Sequence, residues 1–289
     1  MGVVLDTVIP VFSIIALGYV LAARRTLEIA TLSNLAILIT SPALMFSVLA
    51  GTPVDARAWG ALAGGTLWVA AGTAAVAMAY LRTAAPARRG LLLPAVFWNA
   101  GNMTLPCARL AFGQPGLEAA AIVFVTMALL TSTFGIWIAK GENGLGEALR
   151  LPLLYGSVGG LGLAATGVQL PRVVMEPIEM LANMAIPVLL INLGLQLRTL
   201  RLTDLAHSLA IVAVRMGGGI VFASIFVWLF EVDGLERQVM LLASMMPPAV
   251  INVVFAQRYE RDASGVASCI VLGTVVSLLA IPAVLYVLT

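Results

Sequence analysis

Charge is scarce in this sequence. Asp, Glu, Lys and Arg together make up 10% of 289 residues, against a hydrophobic share of 61%. Soluble domains carry about a quarter charged residues, so this composition, with a mean hydropathy of +1.04, reads as a polytopic membrane protein. Histidine occurs once, as His207 near one end of an apolar run, so histidine-based metal sites and triads lack their parts. Cys107 and Cys269 both lie inside apolar runs. Two such thiols make neither a disulfide framework nor a metal set and read as small hydrophobes. A Gly-Lys-Ser/Thr phosphate loop is absent, which argues against ATP as the energy source. Gly156-Ser157-Val158-Gly159 is the nearest thing to a nucleophile turn, and no base accompanies it. The chain is therefore expected not to be an enzyme, with no cofactor and no metal. A net charge of +2 gives no sign of a nucleic-acid partner, and membrane lipid is the expected surrounding.

What the chain has in abundance is apolar runs near the ~20 residues that span a bilayer. Ten are expected, at about 3–23, 29–49, 59–81, 91–112, 117–139, 151–168, 174–197, 205–230, 239–259 and 265–288. The first has no basic residue ahead of it beyond the amino terminus, and Asp6 near its start, which predicts a retained helix rather than a cleaved signal. The organisation reads as a first five-helix repeat (1–139), a short polar connection (140–150) and a second five-helix repeat (151–289). Leu35–Pro42 answers Leu181–Pro187, and Arg109–Gly113 answers Gln257–Glu260. Five spans per half is an odd number, so the second half enters from the opposite side, as an inverted repeat. With the amino terminus outside, the inner loops hold eleven basic residues (Arg24, Arg25, Arg82, Arg88, Arg89, Lys140, Arg150, Arg198, Arg201, Arg258, Arg261) and the outer loops three (Arg57, Arg172, Arg237). By the positive-inside rule both termini are expected outside the cytoplasm of a cell membrane.

Two of the ten runs are defective. Expected helix 4 contains Asn99-Ala100-Gly101-Asn102-Met103-Thr104-Leu105-Pro106, and expected helix 9 contains Met246-Pro247-Pro248-Ala249-Val250-Ile251-Asn252. Proline removes a backbone donor and clashes with the carbonyl four residues back. Backbone groups freed inside hydrocarbon cost several kcal/mol each unless protein or cavity water satisfies them. Paired interruptions at corresponding places in two halves point to the binding site of a secondary transporter.

The candidate substrate-binding residues are Asn99, Gly101, Asn102, Pro106, Asn183, Arg215, Pro247, Pro248 and Asn252. Half-helix N-termini there favour an anion; the amides add donors and acceptors without formal charge. Arg215, mid-span, either pairs with an anionic substrate or caps carbonyls freed by the breaks. Asn183, like Asn34 and Asn192, offers a further side-chain contact or an interhelical amide bond. Arg109 snorkels, Asp6 and Glu118 lie at interfaces, and His207 reads as a surface residue. Neither defective run holds an acid, which argues against an antiporter working through a carboxylate pair at the crossing.

At these residues the chain resembles the auxin efflux carrier family, which includes bacterial malate and malonate permeases. The likeness is carried by Asn99–Pro106 with Phe112-Gly113 and Gly116-Leu117, and by Met246–Tyr259. Ser41–Phe46 and Ala185-Ile186-Pro187 add to it. The resemblance implies an all-α membrane protein of ten transmembrane helices in two inverted five-helix repeats, with broken crossing helices 4 and 9, similar to bile-acid symporters and sodium/proton antiporters. It further implies elevator-type alternating access against a scaffold of helices 1, 2, 6 and 7, often within a homodimer. Asn99, Gly101 and Pro106 fall on the helix 4 motif and Pro247 on the helix 9 motif. Thr104 stands where a glycine is usual, and Asn252 where plant relatives place a proline. The function expected is secondary active transport of small organic anions, carboxylates such as malate, malonate or auxin-like acids, with H+ or Na+ as the candidate coupling ion. The alternatives are an ion-coupled carrier of another organic solute on the same fold, and a non-transporting membrane sensor.

Overall fold

The computed structural model describes residues 2–25, 27–52, 55–141 and 145–289. Residues 142–144 of the expected connection lie outside them. The described chain is all helical, apart from one isolated antiparallel bridge between Trp98 and Pro248. Its helices are α1 (Gly2–Arg24), α2 (Ile29–Gly51), α3 (Ala56–Ala84), α4 (Leu92–Val96), α5 (Ala100–Lys140), α6 (Leu145–Ala148), α7 (Pro152–Thr166), α8 (Arg172–Thr199), α9 (Leu205–Leu229), α10 (Gly234–Ser244), α11 (Ile251–Arg258) and α12 (Ala263–Leu288).

Among the described residues, seven helices are long and apolar enough to cross a membrane: α1, α2, α3, α5, α8, α9 and α12. The difference from the ten apolar runs has local causes. Segment α5 is 41 residues long and folds back at Gly113, whose φ of 70° and ψ of −157° suit only glycine. It therefore joins the end of expected helix 4 to all of expected helix 5. Helix α7 stops after 15 residues because Gly167 turns left-handed (φ 65°). Expected helix 9 is divided into α10 and α11.

Proline also leaves its mark inside α2. Without an N–H on Pro42 the regular ladder lapses, and the Ser41 N–H reaches back five residues to Ala36 O, giving a wide turn over Ala36–Thr40. Wide turns recur at Ala100–Thr104 and Thr131–Gly135 in α5 and at Ala213–Gly218 in α9.

Packing sorts the helices into two groups. Helix α1 lies along α8, and α2 lies along both α7 and α8. These contacts are backbone-close: a Cβ on Gly18 or Gly194 would enter the facing backbone of α8 or α1, and one on Gly156 would enter Pro42 O. Small residues drive this kind of association where no hydrophobic force separates helix from lipid. The other group gathers α3, α4, α5, α9, α10 and α12 around α4 and α10. The two groups meet where α1 touches α5 and α12 and where α8 touches the wide turn at Ala100–Thr104.

Candidate functional site

The two interruptions meet in the second group. Helix α4 ends at Val96, and Phe97 turns extended (ψ 108°). Helix α10 ends at Ser244, where each proline of Pro247-Pro248 forces its predecessor out of helical geometry. The freed strands run antiparallel. Asn99 N–H donates to Pro247 O at 2.8 Å, and Ala249 N–H donates to Phe97 O at 3.0 Å. Asn252 Nδ2 donates to the same Phe97 carbonyl at 2.9 Å. Backbone that left its helix thus finds partners in the other half of the chain, which removes the penalty for exposing it in hydrocarbon.

The first break also repairs itself. Asn99 Oδ1 accepts from Asn102 N–H at 3.0 Å, and the Asn99 carbonyl accepts from both Thr104 N–H and Thr104 Oγ1 at 3.2 Å. Pro106, two residues on, has no N–H, which is why the chain passes through a wide turn before α-helix resumes at Leu105. A Cβ on Gly101 would come within 2.9 Å of the Phe124 ring.

Arg215 ties the two helix ends together. It is fully buried, on the wide turn of α9. Its Nη1 donates to Val96 O at 3.1 Å and its Nη2 to Ser244 O at 2.9 Å. These are the last residues of α4 and α10, where helix dipoles leave partial negative charge. The guanidinium also lies 4.5 Å from the centroid of the Trp98 ring, a cation–π distance. Gly219 makes the approach possible, since a Cβ there would collide with Ser244 O and Arg215 Nη2. Four buried polar atoms of the crossing lack a protein partner: Asn99 Nδ2, Asn252 Oδ1, Trp98 Nε1 and Arg215 Nε.

Of the nine residues singled out in the sequence, Asn99, Gly101, Pro106, Arg215, Pro247, Pro248 and Asn252 are buried at this crossing, with half-buried Asn102 beside them. Asn183 is elsewhere: it is exposed on α8, between buried Ala182 and Ala185. For Arg215 the two sequence readings were substrate partner and carbonyl cap, and its two Nη groups make the second set of contacts. Sequence reasoning missed Trp98 and Ser244; an indole directly ahead of the Asn-Ala-Gly break was the available signal. His207 is half-buried rather than free at the surface. Its Nδ1 is 3.0 Å from Asp204 Oδ2, and Arg88 pairs with Asp204 and lies 3.9 Å from Asp262. That group joins the loop ahead of α4 to the N-caps of α9 and α12. No cluster able to hold a metal occurs among the described residues, and Cys107 and Cys269 are free and buried.

Comparison with known proteins finds membrane transporters. A family model described as "Membrane transport protein" matches residues 141–285. An uncharacterized transporter of Methanocaldococcus jannaschii is 31% identical over 216 residues, 66% of either chain. A second uncharacterized transporter, from Methanothermobacter thermautotrophicus, is 27% identical over an alignment of 305 positions covering 96% of either chain.

Proposed function

The chain belongs to the membrane transport protein family of auxin efflux carrier-like transporters, and from that premise we propose that it is a secondary active transporter of small organic anions. It is a multi-pass membrane transporter and not an enzyme. In the finer reading, ten transmembrane helices form two inverted five-helix repeats, α4 with the first limb of α5 and α10 with α11 are the broken crossing helices, and both termini lie outside the cytoplasm. The substrate is a carboxylate of the malate, malonate or auxin-like kind, bound at the crossing. Alternating access is of elevator type, the group around the crossing moving against α1, α2, α7 and α8, in a protein that is a homodimer with H+ or Na+ as candidate coupling ion.

The observation that carries this reading is the crossing: two antiparallel backbone breaks, each followed by a helix N-terminus, with unpartnered polar atoms on Asn99 and Asn252. Helix N-termini favour anions through their unpaired N–H groups and dipoles. In this account Asn99, Gly101, Asn102, Pro106, Pro247, Pro248 and Asn252 form the site and Arg215 supports it, while Asn183, exposed on α8, stands outside it.

Uptake of radiolabelled malate, malonate and indole acetate into proteoliposomes, with and without Na+ and H+ gradients, tests the proposal. One of the three is expected to accumulate, and N99A or N252A is expected to slow it at least about tenfold, the loss of roughly one hydrogen bond. Uptake of another organic solute while none of the three moves would favour the alternative, an ion-coupled carrier on the same fold. No flux under any gradient would favour a sensor.

A further inference from the structure

We propose that Arg215 is a built-in counter-charge that leaves the crossing one positive charge out of balance, so that a monoanion, and not a dianion, neutralises it. The inference rests on the reading of the crossing as the anion site. Four helix ends meet there: the C-termini of the helical stretch ending at Val96 and of α10, and the N-termini of α5 and α11. Each end carries about half an elementary charge, negative at C-termini and positive at N-termini. Left alone, the four sum to zero.

Arg215 breaks that symmetry. Its Nη groups sit on the two negative ends, at Val96 O and Ser244 O, and its single formal charge offsets both. The two positive ends keep their charge. Beside them, buried Asn99 presents an unpartnered Nδ2. None of the ion pairs among the described residues involves Arg215: they join Arg88 and His207 to Asp204 and Arg88 to Asp262. Arg109, nine residues into α5, is exposed and bonded to Gln114, and Glu118 lies past the bend at Gly113. The uncompensated charge at the crossing is therefore about +1. A carboxylate monoanion brings it to zero. A dianion leaves a net negative charge in a buried site, where unpaired charge is most costly.

The same balance sets the electrical character of the cycle. The loaded crossing moves as a neutral body and the empty crossing as a cation. A potential of about 100 mV then shifts the inward–outward distribution of the empty carrier by up to about fifty-fold and leaves the loaded one almost unmoved.

The test is charge movement by the full-length protein in a planar membrane with no organic anion present. Voltage steps are expected to produce a transient displacement current in the wild type and in R215K, which keeps the charge, and none in R215Q or R215M. Absence of the transient in the wild type, or its survival in a folded neutral variant, overturns the proposal. Indole acetate, the monoanion of the three, is expected to be carried in preference to malonate and malate, which are dianions at neutral pH. Its exchange is expected to ignore the potential, since it never passes through the empty state, while its net flux follows it. Preferred transport of the dianions would overturn the proposal. Equal voltage dependence of exchange and net flux would also overturn the proposal. If none of the three anions moves while the transient still depends on Arg215, the anion-site reading fails and the charge assignment stands.

Discussion

The two breaks at the crossing solve one physical problem in different ways. In the first, at Phe97–Asn99, the chain supplies polar side chains to its own backbone: Asn99 caps Asn102, and Thr104 returns to the Asn99 carbonyl. In the second, at Met245–Val250, two prolines delete donors that would otherwise need partners. What the second break still requires comes from the first, through Ala249 N–H and Asn252 Nδ2 on the single carbonyl of Phe97. The first break is thus repaired in part by its own side chains, with Asn99 N–H and the Phe97 carbonyl tied to the other half, and the second chiefly across the molecule. A substitution in the second half should accordingly disturb both halves, and one in the first mainly its own.

The sharpest way to break that contrast is at the residue serving both sides equally. R215M leaves Val96 O and Ser244 O without their donor and is expected to lower stability by about 3–5 kcal/mol, read as a thermal or denaturant midpoint in detergent. A midpoint within error of wild type would show that water replaces the guanidinium. Next comes G219A, where the added methyl meets Ser244 O and Arg215 Nη2; a cost of about 1–3 kcal/mol is expected from overpacking. Moving the same change to Gly217, which has open space around it, should be close to neutral apart from the intrinsic helix effect.

The asparagines sharpen the comparison itself. N252A takes one of two donors from the Phe97 carbonyl, which keeps Ala249 N–H, and should cost about 1–2 kcal/mol, one hydrogen bond plus a small cavity. N99A removes a local cap and should cost about 0.5–2 kcal/mol. Combining each with T104V separates them: Thr104 supports the Asn99 carbonyl, so N99A and T104V should be non-additive, whereas N252A and T104V should add. The opposite pattern would mean that the first break is the one held from outside. The smallest effect is expected from P248A. It returns a donor to the bridge opposite Trp98 and loosens the unfolded chain, for a loss of about 1 kcal/mol or less.

Much of this was legible in the sequence because proline and hydrophobic run length act locally. Pro247 and Pro248 fix where one helix stops and Pro106 where another resumes, without reference to anything distant, and Asn99 and Asn252 stand out against an apolar background. What was not legible depends on phase or on distant partners. Arg215 reaches carbonyls 119 and 29 residues away, and no spacing rule selects Val96 and Ser244 from the rest. Asn183 matched the pattern of the first half, yet helical phase turns it outward between Ala182 and Ala185, both buried. Gly113 lies just past the fourth expected span and Gly167 inside the sixth, and run length does not tell their roles apart. The first lets a helix fold back without a gap, while the second simply ends one. His207 carried a usable signal in Asp204, three residues ahead at an N-cap, which explains why it is engaged rather than free.

The pairing of Asn99 with Pro247 also has a consequence for biogenesis. Synthesis at about 5–20 residues per second puts roughly seven to thirty seconds between the emergence of the two segments from the ribosome. Throughout that interval the Phe97 carbonyl and the Asn99 amide proton have no native partner to bond. The nascent amino-terminal half must wait in a hydrated or chaperoned state at the insertion site, which makes membrane integration of this protein a step completed from its carboxyl end.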